Sequence, residues 1–529
     1  MTKKRILSLI AAVIAICISL SGCNNGKKGN DVLKDLDPND RITELTMPIS
    51  KEPITLSVFA YMHPNVAKNF KSWAELESVK EFMSKTGITL TFRHPPNGQE
   101  KEQFNIMVAS NDLTDLVYAG FNNYKGGPEA AMEEGLILEF DDLIDRYAPN
   151  YKRELLNDPD FARMVKSDSN KIIKFGVSKI PHDAERPFIG PMIRSDLLAK
   201  TGLPMPETID EWTTLLRAMK TNGVEVPLAW GSKDWDPMRV GNVFSSAYGV
   251  PMKGYYRENG TVKYGPIEPA YKEYLTQLNA WYVEGLLDKD FATHSPVENV
   301  PSMLMSGKSA AAALHLETAA KFYTSVNDPN ITLEPAPMPK LNKNDQIKLL
   351  WNYSGIDSQG YYISAKCKYP KEAVQMIDAL YLPENCLMFN VGKEGVTYEM
   401  VNDEIVMLDV DPKIRSSWSL GSMCGIVNKK INEMQYTRPE QQKAWDVWSV
   451  ESREGMMPDG LIMSQEQSDK FTQRMTDIET YADEMFIKFI MGLEPLSNFD
   501  NYVNTIKGMN IDEAISIKQE NLDKYESRK

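Results

Sequence analysis

The sequence predicts an α/β fold whose first unit is a parallel sheet with helical crossovers. Three observations predict it. β-rich runs alternate with amphipathic helical stretches from residue 54 to residue 118. Right-handed crossovers turn that strand–helix–strand–helix–strand order into neighbouring parallel strands. A strongly capped helix opens far downstream at Thr208, so similar packing continues there. The composition of the 529-residue chain is ordinary for a globular protein, 42% hydrophobic and 25% charged. That excludes a disordered, fibrous or multi-span membrane chain. At roughly 150 residues per unit, the length allows three or four structural units.

Residues 54–60 (ITLSVFA) open the body as a strand. Phe70, Trp73, Val79, Phe82 and Met83 fall on one helical face, and Gly87 stops that helix. Residues 88–92 (ITLTF) form the second strand, and 100–110 a helix with Phe104, Met107 and Val108 inward. After the Asn111-Asp112 turn, 113–118 (LTDLVY) is the third strand. Ligands of such sheets bind beyond the carboxyl ends of the strands, here 60–62, 94–97 and 119–124. Thr208 and Glu211 make a capping box, and Ile209, Trp212, Leu216 and Met219 form the buried stripe behind it. A further helix runs from about 269 to 284, presenting Tyr271, Tyr274, Leu275, Leu278 and Tyr282, and Gly285 ends it. Residues 309–316 (SAAAALHL) are a small-residue strand, 372–382 a helix, and 469–491 and 501–525 amphipathic tail helices. The chain shows no fixed-period repeat and no low-complexity run.

The amino terminus gives the address. A basic start (Lys3, Lys4, Arg5), an apolar stretch from 6 to 20 and small residues before Cys23 describe an export signal. The stretch is shorter than the roughly 20 residues of a spanning helix. Leu20-Ser21-Gly22-Cys23 resembles the lipobox of bacterial lipoproteins, which implies cleavage before Cys23 and lipidation of its thiol. A plain signal anchor with an incidental cysteine is the other reading. Removal of residues 1–22 takes the formal charge from −14 to −17. Residues 23–52, polar and punctuated by Pro38 and Pro48, then read as a tether from a lipid anchor.

Charge and scarce residue types exclude several functions. Asp plus Glu is 73 against 59 Lys plus Arg, so a nucleic-acid partner is not expected. Of five cysteines, Cys367, Cys386 and Cys424 remain in the body without metal-ligand spacing. They read as buried free thiols, or at most one disulfide. The five histidines form no HExxH and no close pair, so no metal is expected. There is no GxSxG, Walker A or GxGxxG, and the 392–395 turn is no phosphate cradle. A glycosidase needs two carboxylates at fixed separation, and none of the many here is marked. No enzyme and no cofactor are expected.

Several stretches together resemble the extracellular solute-binding lipoproteins of bacterial ABC importers. They are 82–118, 135–150 (GLILEFDDLIDRYAPN), 193–227, 271–291, 361–398 and the tail ending Asp523-Lys524-Tyr525. More narrowly the chain is similar to the large oligosaccharide-binding branch (family 1, cluster-D-like). The resemblance implies a two-lobe periplasmic-binding-protein-like fold (type II), with lobes joined by a hinge and a ligand cleft between. The expected boundaries are 53–187 plus 358–408 for the first lobe and 190–355 plus 409–529 for the second. The implied function is capture of an oligosaccharide and delivery to ABC permease subunits by a monomer held at the extracytoplasmic face of the membrane. A surface adhesion or sensor lipoprotein, or a peptide receptor of the same fold, is the alternative. Many relatives carry a calcium-loop-like insert after the capped helix. Here 220–227 is too short and too poor in acids, so no calcium is expected there.

A sugar offers an apolar face and a rim of hydroxyls, so its site pairs aromatic platforms with polar side chains. Trp73, Trp212, Trp281, Trp445 and Trp448 sit on helical stripes and are expected to pack internally. Trp230, Trp235, Trp351 and Trp418 sit in loop-like contexts and are candidates for the cleft, against the alternative of ordinary packed loop residues. Asp236, Tyr353 and Asp357 accompany them, and Tyr61, Phe121 and Tyr124 are the candidates from the first lobe. Arg194 and Arg239 are candidates for hydroxyl or carboxylate contacts, with a salt bridge as the alternative for each.

Overall fold

The computed structural model describes residues 33–176, 187–233, 235–326, 328, 330–349, 359–418, 438–449 and 454–528. The signal segment, Cys23, Trp351, Tyr353, Asp357 and Cys424 therefore lie outside the described residues.

The strands in chain order are β1 (Ile54–Phe59), β2 (Ile88–Arg93), β3 (Leu116–Tyr118), β4 (Phe175–Gly176), β5 (Ile189–Arg194), β6 (Val226–Ala229), β7 (Tyr255–Glu258), β8 (Thr261–Tyr264), β9 (Ser309–His315), β10 (Leu333–Pro335), β11 (Gly360–Ile363), β12 (Tyr398–Val401) and β13 (Glu404–Met407). One sheet has the order β2-β1-β3-β11-β4 and another β10-β5-β9-β6. The alternation at 54–118 does give parallel pairs, β1 with β2 and β1 with β3. The sheet is nonetheless mixed, because β11 enters from the far half of the chain and pairs antiparallel with β3 and β4.

Each sheet has its own hydrophobic core. The first gathers side chains from 54–175, 361–389 and Trp418, and the second from 188–349 and 444–514. Among the described residues the side chains change core between β4 and β5, between Leu349 and β11, and between Trp418 and Ala444. Helix Pro412–Trp418 belongs with the first core, four residues past the boundary expected at 408. Trp418 is buried there, with the Lys393 ammonium 5.2 Å from its ring. Near the carboxyl terminus Arg528, its side chain fully buried, donates to Asp168 at 2.6 Å and to the Gly460 carbonyl at 2.8 Å. The carboxyl-terminal helix is thereby fastened to the first half of the chain.

Local patterns explain most elements. The Thr208–Glu211 capping box starts helix Ile209–Thr221 and buries Trp212 and Met219. Gly87 ends helix Glu77–Thr86 at φ 73°, and a Cβ there would meet the Ser50 carbonyl at 2.2 Å. Trp445 and Trp448 are buried on helix Pro439–Trp448. Gly190 lets the Trp448 ring lie directly on β5, where a Cβ would sit 2.2 Å from it.

Two helices are divided where the periodicity predicts one. The stripe from Phe70 to Met83 is split into a 3₁₀ turn, Trp73–Glu75, and helix Glu77–Thr86. Leu76 is extended between them, and the Ser72 hydroxyl caps the first piece through Ala74 N–H. The tail helix is likewise two, Phe499–Gly508 and Ile511–Ser527, because Asn510 turns left-handed at φ 67°. Periodicity survives such breaks, which is why it does not reveal them.

Candidate functional site

In both sheets the carboxyl ends of the strands hold aromatic side chains and one histidine. At the end of β2, His94 receives the Trp73 N–H on Nε2 at 3.1 Å. Its Nδ1 therefore carries the proton and donates to the Ala60 carbonyl at 2.7 Å. The ring stacks on Phe92 at 5.5 Å and meets Trp73 edge-on at 5.3 Å. Burial holds its pKa below the usual histidine value. Beyond β1, half-buried Tyr61 lies 5.9 Å from Tyr118, which lies 5.2 Å from Tyr361 on β11. After β3, Ala119 adopts φ 64°, a strained conformation for a residue with a Cβ.

In the second sheet, His315 ends β9. Its Nδ1 accepts the Glu317 N–H at 3.2 Å, which caps helix Leu316–Ser325. Burial lowers its pKa as well. The ring stacks on Phe188 at 6.0 Å, and Trp235 approaches it edge-on at 6.0 Å. Trp235 is 37% exposed, among the most open large aromatic side chains described.

Five of the sequence candidates are buried among other side chains. Phe121 is fully buried against Phe104 and Tyr362. Trp230 is 2% exposed, stacked on Phe291 at 4.5 Å, and donates its indole N–H to Asp236 at 2.9 Å. Asp236 is buried and also accepts the Arg239 N–H as a helix cap, and burial raises its pKa to about 6. Arg194 is buried in a two-pronged pair with Asp196 at 2.9 and 2.7 Å, and donates to the Leu304 carbonyl. Trp418 packs in the first core, as described above. Of the remaining candidates, Arg239 pairs with Asp483 on helix Gln465–Met491, and Lys253 joins that carboxylate at 3.0 Å. Tyr124 donates to Glu134 at 2.5 Å, and burial and that carboxylate push its phenol up to about 12. Tyr61, Tyr124 and Trp235 are the described candidates that keep part of their ring in solvent.

His315 and Phe188 escape the sequence reading, although 309–316 reads there as a strand. Applying the strand-end rule to that strand, as to the first three, points to His315. Among the described residues one group has atoms close enough to share a metal, Asp288, Asp290 and His294, within 4.8 Å of one another. Their bonds are already made internally. His294 Nδ1 lies 2.7 Å from Asp288, whose other oxygen accepts the Asp290 N–H at 3.0 Å.

Two mixed sheets with separate cores, each fed by more than one stretch of the described chain, make a two-part frame. The family described as bacterial extracellular solute-binding protein matches residues 67–385, more than half of the chain. The chain belongs to that family. Among relatives of this solute-binding protein is the fructooligosaccharide ABC transporter substrate-binding protein FusA of Streptococcus pneumoniae, 21% identical over 93% of this chain and 94% of that one. Another is lipoprotein LipO of Bacillus subtilis, 25% identical over 54% of this chain and 51% of its own length. A solute-binding protein of Bifidobacterium longum infantis, described as binding HMO and associated with an ABC transporter, shares the fold. Its TM-score is 0.73 at 16% identity, over 90% of this chain and all of that one. The two-lobe architecture of the solute-binding proteins is thus established for this chain.

Proposed function

We propose that this solute-binding protein is the receptor of a bacterial ABC importer, that it captures an oligosaccharide between its lobes, and that a lipid on Cys23 holds it to the membrane. The observation that carries the reading is Trp235, an open indole beside His315 at the strand ends of the second sheet. The part of the indole left in solvent suits the apolar face of a pyranose or furanose ring. Tyr61 and Tyr124 supply the matching rings from the first lobe, and Trp351, Tyr353 and Asp357 are candidates from the crossing. The length-wide relation to FusA, whose name states a fructooligosaccharide cargo, supports a sugar over a peptide. LipO, named a lipoprotein, supports the anchor, as does the sequence at Cys23.

The lobes are assigned as 53–187 with 358–408 and 190–355 with 409–529, with helix Pro412–Trp418 moved to the first. Ligand contacts on both lobes favour the closed form, and the permease then receives the closed receptor. No bond is made or broken, so no catalytic group is needed.

Thermal denaturation of the mature chain with mono- to hexasaccharides, and peptides as controls, tests the reading. Ligand at 100 times its Kd adds about 2.7 kcal/mol. A rise in Tm with one sugar series and no turnover is expected. A rise with peptides alone replaces the cargo. Cys23→Ala is expected to release the protein from membranes, and retention would overturn the anchor.

A further inference from the structure

We propose that the β12–β13 hairpin is the surface by which this receptor docks on a basic protein partner, the extracytoplasmic face of the importer's membrane subunits. The proposal rests on the receptor reading above. The hairpin belongs to neither main sheet; no other described strand pairs with it, and the outer edge of β12 is met only at Tyr398, whose carbonyl accepts the Gly395 N–H at 2.8 Å. Its register places Glu399 opposite Val406 and Val401 opposite Glu404 on one face, and Met400 opposite Ile405 on the other. Met400, Val401 and Val406 are 43%, 46% and 46% exposed. Apolar side chains that open on a two-stranded ribbon are a cost the free protein bears.

Charge selects the occupant. Residues 398–411 (YEMVNDEIVMLDVD) hold five carboxylates and no lysine or arginine. Among the described residues Glu399, Glu404 and Asp409 form no ion pair. An anionic lipid surface would be repelled, and so would a second copy of a chain with formal charge −14. A protein surface with Lys or Arg beside apolar residues satisfies both features, and an unpaired strand edge can add a strand from it.

The test uses the full chain in its own membranes, with a benzoylphenylalanine photo-crosslinker at Val406 and a control at Leu156, which is 75% exposed on a helix of the first lobe. An adduct between position 406 and a membrane subunit of the importer, absent from position 156, is the expected result. Adding Val401→Lys should cut its yield about tenfold, since a like charge faces the basic partner. The new lysine sits across from Glu404, so the fold should keep its Tm and its sugar binding. Adducts only with lipid or with a second copy overturn the proposal, as does equal labelling from both positions. An adduct with a membrane protein that is no transporter keeps the hairpin as a docking surface and overturns the receptor reading instead.

Discussion

The carboxyl edges of the two sheets are built alike and finished differently. Each has at a strand end a half-buried histidine that accepts a backbone N–H, from Trp73 in one case and Glu317 in the other. On the first edge both ring nitrogens are engaged by the backbone, and Trp73 is closed over the ring at 2% exposure. That edge is a brace. On the second edge the neighbouring indole, Trp235, stays open. The same topological position is thus closed over by an indole in one lobe and flanked by a partly open one in the other, the indole proposed above as the ligand platform. A mobile two-lobe receptor needs both, because a platform orients a ligand only if the backbone behind it is fixed.

The comparison extends to two tryptophans five residues apart, and substituting them should separate the roles most sharply. Trp230→Ala removes a ring stacked on Phe291 and leaves the buried Asp236 carboxylate without its indole donor. A loss of about 3–5 kcal/mol is expected, read as a fall in denaturation midpoint. Trp235→Ala should leave stability within about 0.5 kcal/mol and weaken sugar binding about tenfold or more, read by titration calorimetry. Equal losses of stability in the two variants would erase the distinction.

These two residues also mark what the sequence discloses. Trp212, Trp281, Trp445 and Trp448 are legible as core because their partners recur at helical spacing on the same segment. The capping box at Thr208 and the parallel strands at 54–118 are legible for the same local reason. Trp230 and Trp235 share a polar loop context, and nothing nearby separates them. The partners that decide the matter, Phe291 and Phe486 for one and His315 for the other, are brought in by the tertiary fold. Arg194 and Arg239 show the salt bridges that the sequence offers as the alternative for each, with partners it does not name. Their partners are Asp196 in a bent-back fork and Asp483 on a distant helix. Strand ends, by contrast, are readable, and His315 was within reach of that rule.

The brace should also be separable from the platform by its own substitution. His94→Gln keeps an acceptor and a donor but not the ring between Phe92 and Trp73. A moderate loss of about 1–2 kcal/mol is expected, with sugar affinity changed less than by Trp235→Ala. A larger effect on affinity than on stability would place His94 in the site.

The smallest expected effect is on pH dependence, where two histidines oppose two aspartates. His94 and His315 have pKa values held by burial below their unfolded value of about 6.5. The unfolded chain then binds more protons, so their contribution is full above that pH and is lost as pH falls below it. Asp236 and Asp378 are raised by burial to about 6. They stay ionised and costly at neutral pH, so stability is regained as pH falls from about 6 toward 4. The wild type should therefore change little between pH 7.5 and 5, and single variants should unmask opposite slopes. Relative to wild type, His94→Gln should look better at pH 5 than at pH 7.5, because it no longer resists a proton. Asp236→Asn should look better at pH 7.5, because it no longer buries a charge. At this chain length each difference is about 1 °C or a little more in Tm per kcal/mol, and paired scans at the two pH values resolve it. Slopes of the same sign would mean that one of the two groups is solvated in the folded protein, and the brace and the platform would then differ less than their geometry implies.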